Sequence, residues 1–277
     1  MPIVQNPRPD QEAVLQEQAQ RLQAAYAQFS FTIPEPYQSS MWLEIKGHIE
    51  HAIQSPPKTF DWRDRIMIPP AKNQGNCYSC TSFAAAAAIE ISSIIAHGGN
   101  GPDVAAQYMH TCIVHRGETD EDSICSSGIE PRRLLKLLVE TGYAVSLPDD
   151  TPFPPSSCPA VGIYSTLAGF EPISISAARS FLTIGPILTD MYIWNDFFNY
   201  TTNRSQTYSP DMSLGQPALH SLCVIGYTPE GWIVKNSLGS HWGEGTGFGV
   251  IKLGTCGLLT DSPPPGWAPR PAFAVQV

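Results

Sequence analysis

A thiol turns into a nucleophile when its surroundings hold it as the thiolate. The stretch QGNCYSCTSFAAAAAIEI, residues 74–91, offers such surroundings. A polar, glycine-containing turn runs straight into an alanine-rich segment, and alanine is the strongest intrinsic helix former. Cys80 falls at the junction, in the first turn of the predicted helix. Unpaired backbone N–H groups and the positive end of the helix dipole favour an anion there. Gln74, a short way upstream, carries an amide able to hydrogen-bond an oxyanion. Taken alone, Cys80 reads equally well as a buried structural cysteine.

Such a thiolate needs a base that takes its proton and returns it to a leaving group, a role usually filled by histidine. Of the seven histidines, His220 opens an apolar run and is followed by WIVKNSLGSHWGEG. Asn236 lies across the predicted hairpin, placed to accept a hydrogen bond from the imidazole and fix its orientation. An isolated histidine is most often a satisfied or surface residue. Cysteine, glutamine, histidine and asparagine in this arrangement make a much rarer coincidence.

These residues must be positioned by a fold of some size. The chain has 277 residues, 42% hydrophobic and 15% charged, which describes a folded globular protein of one large or two small lobes. A net charge of −9 argues against nucleic acid or an anionic membrane as partner. No uninterrupted apolar run has the length of a membrane span. The N-terminal MPIVQNPRPDQ lacks a basic region followed by an apolar core, so no signal peptide is read there. Seven cysteines leave at least one free or paired outside the chain. Disulfides would imply an oxidising, secreted or lysosome-like compartment, which sits awkwardly with the missing signal.

Residues 1–57 read as a separate helical segment. Leu15, Ala19, Leu22, Tyr26 and Phe29 recur at helical spacing, and Trp42, Ile45, Ile49 and Ile53 share a second helical face. Two amphipathic helices with nothing else to cover them must dock on a partner surface. Residues 58–277 then form the main domain, with a helical lobe over about 68–165 and a β lobe over about 166–262 plus 58–67. Helices are predicted from Cys80 to about Ala96, over DVAAQYMHTC, and over PRRLLKLLVETGY (131–143). Runs at 186–193, 221–227, 231–236 and 248–254 read as antiparallel strands, with TPEG (228–231) as a hairpin turn. Helices first and strands second give an α+β pattern. The tail 263–277 is read as a proline-rich surface strap.

At this point the chain resembles the papain-like cysteine peptidases. The matching residues are DWR (61–63), KNQGNCYSC (72–80), the stretch from Cys125 to Gly128, His220, and KNSLGSHWGEGTGF (235–248). They span about residues 58–262 in the family's order. The resemblance implies a two-lobe fold, a helical left lobe facing an antiparallel β-barrel-like right lobe, with the site in the cleft. It implies Cys80 as nucleophile, His220 as base, Asn236 as orienter of the histidine, and Gln74 with the Cys80 N–H as oxyanion hole. It also implies disulfides Cys77–Cys125 and Cys112–Cys158. Cys223, in an apolar strand, is expected to be a buried thiol, and Cys256 has no partner that the family supplies. No cofactor or metal is implied. The cluster His110, Cys112, His115, Cys125 invites zinc, but two members are claimed by the disulfides.

For substrate, the resemblance implies that Gly128 pairs with an extended peptide backbone. Ile129, Ala218 and Leu219 would line the pocket for the second residue before the cut, with Asp261 near its floor and an apolar or basic preference. Trp242 is grouped with the substrate-binding residues. Proteins or peptides are the expected partners, and residues 1–57 the expected intramolecular inhibitor of a zymogen. Tyr78, Thr81 and Leu238 depart from the family's Gly, Trp and Trp. Leu238 in particular is expected to leave the His–Asn pair weaker. The alternatives are a catalytically weakened binding or regulatory protein on this scaffold, and an acyl transferase using the same site. Asn199 and Asn203 begin glycosylation sequons.

Overall fold

The computed structural model describes residues 56–118, 120–145, 158, 164–202, 206–263 and 266–277. The two helices expected before residue 54, the N-terminal segment apart from Pro56 and Pro57, and the sequon at Asn203 lie outside them.

The first strand, β1 (Phe60–Asp61), and a 3-10 turn (Trp62–Asp64) lead through an extended stretch to α1 (Cys80–His97). A surface helix buries one stripe, but α1 is buried without a break from Thr81 to Ile91. Its run of alanines removes bulk, which lets the sheet approach closely on one side and other helices on the other. By length and composition α1 could cross a membrane; it is instead the core helix, enclosed by protein. Gly98 ends it at φ 71°, a left-handed value that favours glycine, and donates to Ile94 O at 2.8 Å.

Then come α2 (Ala106–Tyr108), which widens into a π-helical stretch (Met109–Val114), and α3 (Glu121–Ser126). Next is α4 (Pro131–Thr141), where Glu130 caps the N-terminus by accepting from the Arg132 and Arg133 N–H groups. Two short strands, β2 (Tyr143–Ala144) and β3 (Tyr164–Ser165), pair with each other.

The second half is strand-rich: β4 (Gly169–Pro172), α5 (Ala178–Leu182), β5 (Ile187–Ile193), β6 (Ala218–Tyr227), β7 (Gly231–Lys235), β8 (Phe248–Lys252) and β9 (Ala272–Gln276). The sheet is antiparallel, in the order β4-β9-β5-β6-β7-β8, with β1 added alongside β6. It is open along this path, β4 and β8 forming its edges, so it is not a closed barrel. The turn at 228–231 closes by Thr228 N–H to Gly231 O at 2.8 Å.

The tail departs from the expected surface strap. Proline bars ladder pairing only as far as Pro271; the apolar run that follows is β9, inserted between β4 and β5 with Phe273 fully buried.

One buried charge cluster ties the lobes. Glu90, in the middle of α1, accepts from Lys72 Nζ at 2.7 Å and from Val104 N–H at 3.1 Å, with Lys235 Nζ at 3.5 Å. Lys235 precedes Asn236, so the cluster fixes the end of β7 against α1. Replacing Glu90 with alanine leaves the Lys235 ammonium buried without its carboxylate, a change worth about 3–5 kcal/mol. Urea unfolding of Glu90→Ala should show a midpoint well below wild type.

Candidate active site

Three elements converge on one cleft of about 740 Å³: the turn before α1, the loop around Gly128, and the start of β6. Cys80 is half-buried at the first turn of α1, and its thiol is hydrogen-bonded to the His220 imidazole. His220 is buried on β6, opposite Met191 of β5. Its Nε2 lies 2.7 Å from Asn236 Oδ1, which leaves Nδ1 for the sulfur. Asn236 Oδ1 also accepts from the Ser237 N–H at 2.8 Å, so its carbonyl side is fixed toward the ring.

The two reacting groups shift each other. Burial by itself would raise the Cys80 pKa, but the hydrogen bond and charge of His220, with help from Ser221, bring it below its ordinary value. Burial would likewise lower His220, yet the bond to Cys80 and the thiolate charge, then Asn236, raise it. The thiolate–imidazolium pair is therefore the favoured form over a window bounded below by the lowered thiol and above by the raised imidazole. The other free thiols show the opposite: burial pushes both Cys223 and Cys256 up to about 12.

Gln74 is buried and held on both sides of its amide. Its Oε1 accepts from Ser237 Oγ at 2.5 Å, and its Nε2 donates to Cys77 O at 2.8 Å. The second N–H of Nε2 remains for an oxygen in the cleft, beside the α1 N-terminus. Ser237, which sets this orientation, has no mark in the sequence beyond following Asn236.

Leu238 was expected to leave the His–Asn pair weakened. The 2.7 Å contact and the burial of both partners do not show that, because aromatic cover comes from elsewhere. The Phe197 ring sits 5.4 Å from the imidazole and 5.0 Å from Trp242, whose Nε1 donates to Phe197 O at 2.7 Å. Trp242 is buried behind this pair and does not line the cleft.

Both disulfides, Cys77–Cys125 and Cys112–Cys158, are formed. The first ties the Cys80 turn to the Gly128 loop, and Tyr78 N–H donates to Cys125 O at 3.1 Å. Gly128 is exposed at the cleft, with Tyr78 O so near that a Cβ would stand only 3.1 Å from it. Ile129, Ala218 and Leu219 also line the cleft. Asp261 does not: it is exposed and is not among the residues that line the cleft. The acids that line the cleft are Glu130 and Asp190, the latter a charge inside the apolar run ILTDMYI that could have signalled it. Among the described residues no group of three His, Cys, Asp or Glu is arranged to hold a metal. His110 instead faces Ile124 O at 3.1 Å, and burial lowers its pKa to about 4.

The model of the papain family cysteine proteases matches residues 56–262. The chain belongs to that family. This papain-family protease is 28% identical over 255 residues to cysteine proteinase 1 of Entamoeba histolytica, across 84% of this chain and 77% of that one. It is 27% identical over 259 residues to cathepsin O of Mus musculus, across 83% and 78%. In fold it is similar to the bromelain protease of Ananas comosus solved with the inhibitor E64, at TM-score 0.60 and 22% identity, over 80% of this chain and 99% of that one.

Iodoacetamide should therefore separate the three free cysteines of the folded protease. Mass spectrometry is expected to find Cys80 alkylated with a pH midpoint below the free-thiol value of about 8.5, and Cys223 and Cys256 unmodified. In His220→Ala the midpoint should move back up toward the free thiol.

Proposed function

We propose that this protease is an endopeptidase working through Cys80, His220, Asn236 and Gln74. The observation that carries the reading is geometric: the Cys80 thiol at the head of α1 is hydrogen-bonded to His220, whose other nitrogen is held by Asn236 at 2.7 Å, with Gln74 in the same cleft.

The Cys80 thiolate attacks the peptide carbonyl carbon. The resulting oxyanion takes hydrogen bonds from the Cys80 N–H and Gln74 Nε2, two fixed donors next to the positive end of α1. His220, carrying the proton, gives it to the departing amine, and a thioester to Cys80 remains. Water attacks the thioester as the now neutral His220 takes one of its protons; collapse expels the Cys80 thiolate and releases the carboxylic acid, so the thiolate–imidazolium pair is restored. Asn236 keeps the ring in the plane that serves both transfers. Gly128 offers its backbone to an extended substrate, and Ile129 and Ala218 flank the residues before the cut.

The same reading makes residues 1–57 an inhibitory segment of a zymogen, covering the cleft until removed near Pro56–Lys58. Tyr227 Oη donates to Pro57 O at 3.0 Å and β1 pairs with β6, which supports a junction anchored to the sheet where that segment would end.

A fluorogenic peptide assay tests the chemistry. Cys80→Ala should abolish hydrolysis, and Gln74→Ala should lower kcat by about 10²–10³ while leaving Cys80 open to alkylation. Wild-type hydrolysis rates in Cys80→Ala, or a Cys80 that alkylates no faster than a free thiol, would remove the assignment. Incubation at acid pH is expected to yield a chain shortened near residue 57 with higher activity; a full-length product of unchanged activity argues for a permanent N-terminal module.

A further inference from the structure

Beside Cys80 the cleft wall carries a charged row that meets the four reacting residues through Ser221 and the charge of Asp190. It begins at Ile129, whose carbonyl accepts from Thr81 Oγ1 at 2.7 Å. Thr81 Oγ1 is 2.8 Å from Ser221 Oγ, which donates to Asp190 Oδ1 at 2.6 Å. Asp190 Oδ2 accepts from the guanidinium of Arg270 at 2.9 Å. The row therefore starts under the Gly128–Ile129 edge and ends in a cation.

Arg270 is held there by the tail, in a segment beyond residue 262 where the family match stops. Trp267 packs against Tyr192 at 4.5 Å and Trp194 at 6.5 Å between ring centres. Tyr192 Oη donates to Ala268 O at 3.1 Å, and Thr189 Oγ1 to Pro271 O at 2.8 Å. Arg270, anchored on both flanks, lies with its guanidinium 5.8 Å from the centre of the Tyr192 ring.

Counting donors and acceptors decides what this wall can recognise. The cleft's two acids, Asp190 and Glu130, are both engaged, Asp190 by Ser221 and Arg270, Glu130 by the α4 N-terminus. A basic side chain would meet a fixed cation that already neutralises the buried carboxylate, Asp190. Arg270 lines the cleft as well, its guanidinium held in place by Asp190 and the Tyr192 ring. A cation fixed in this way loses little conformational freedom when an acceptor arrives.

We infer that Arg270 is a specificity residue, and that this protease takes a glutamate or glutamine side chain at the second residue before the scissile bond. This rests on the peptidase reading above and reverses the apolar or basic preference expected from an acid at position 261. An acceptor of that length meets the guanidinium in the planar manner that arginine favours.

The test is a peptide series differing only at that residue, Glu, Gln, Leu or Arg, offered to the acid-treated full chain. Wild type should show kcat/KM for Glu and Gln about tenfold above Arg, a factor in the range of one charge-assisted hydrogen bond. The ratio of Glu to Leu, which cancels any loss of folded protein, should fall about tenfold in Arg270→Met and in the charge-balanced double variant Asp190→Asn/Arg270→Met. An unchanged ratio in both variants, or a wild-type preference for Arg, overturns the role of Arg270 alone. No cleavage of any peptide, Leu included, together with an unreactive Cys80, overturns the peptidase reading and this inference with it.

Discussion

The contact between Cys80 and His220 has to be made across two separately built parts of the chain. The sulfur belongs to the first turn of a core helix, the imidazole to a strand in the middle of a sheet. Neither part can drift, since a shift of about an ångström at such a pair costs orders of magnitude in rate. Much of the surrounding structure can be understood as rigidity supplied to that one distance. The alanine run of α1 permits close packing on β6, and Glu90 clamps the middle of α1 to the residue preceding Asn236. The Cys77–Cys125 bond fixes the turn in front of the helix to the opposite cleft wall.

The electrostatics follow from the same arrangement. The chain contains three free thiols in buried or half-buried surroundings, and burial by itself raises all of them. What brings Cys80 below its ordinary value is an imidazole within hydrogen-bonding distance, with Ser221 adding a second contact. Cys223 has a cation nearby, Lys235, but that charge is shared with Glu90, and the thiol stays high. The outcome is decided by whether the nearest positive charge is committed to the sulfur or to something else.

The parts of the molecule legible in the sequence were those where local chemistry and local structure agree. The start of α1 at Cys80 announces itself through alanine propensity, and its end at Gly98 through glycine. His220 and Asn236 were legible because a hairpin turn between two apolar strands fixes their separation in space. Strand β9 was not, because five prolines between Pro263 and Pro271 dominate the tail and the run after them is short. The expected pocket acid differed as well: Asp261 does not line the cleft, whereas Arg270, just before β9, does. The cover over the His–Asn pair was missed for a related reason. A tryptophan was sought at position 238, close in sequence to Asn236, whereas Phe197 reaches the ring from a distant loop.

Thr81, a departure from the family pattern next to Cys80, acquires a physical reason once the wall beside it is considered. A large indole at position 81 would fill the space in which the Thr81 hydroxyl bonds Ile129 O and Ser221. The hydroxyl links the helix start to the Asp190–Arg270 pair, so the change at 81 and the long tail that delivers Arg270 belong to one modification of the cleft. Asp190 is 4% exposed and would be costly to bury as a lone carboxylate; Ser221 and Arg270 each satisfy one of its oxygens. Each member of the row would be destabilising without its neighbours. The effect of a substitution at any one of these positions therefore depends on the whole row, which is why its charge is not legible from a single position taken alone.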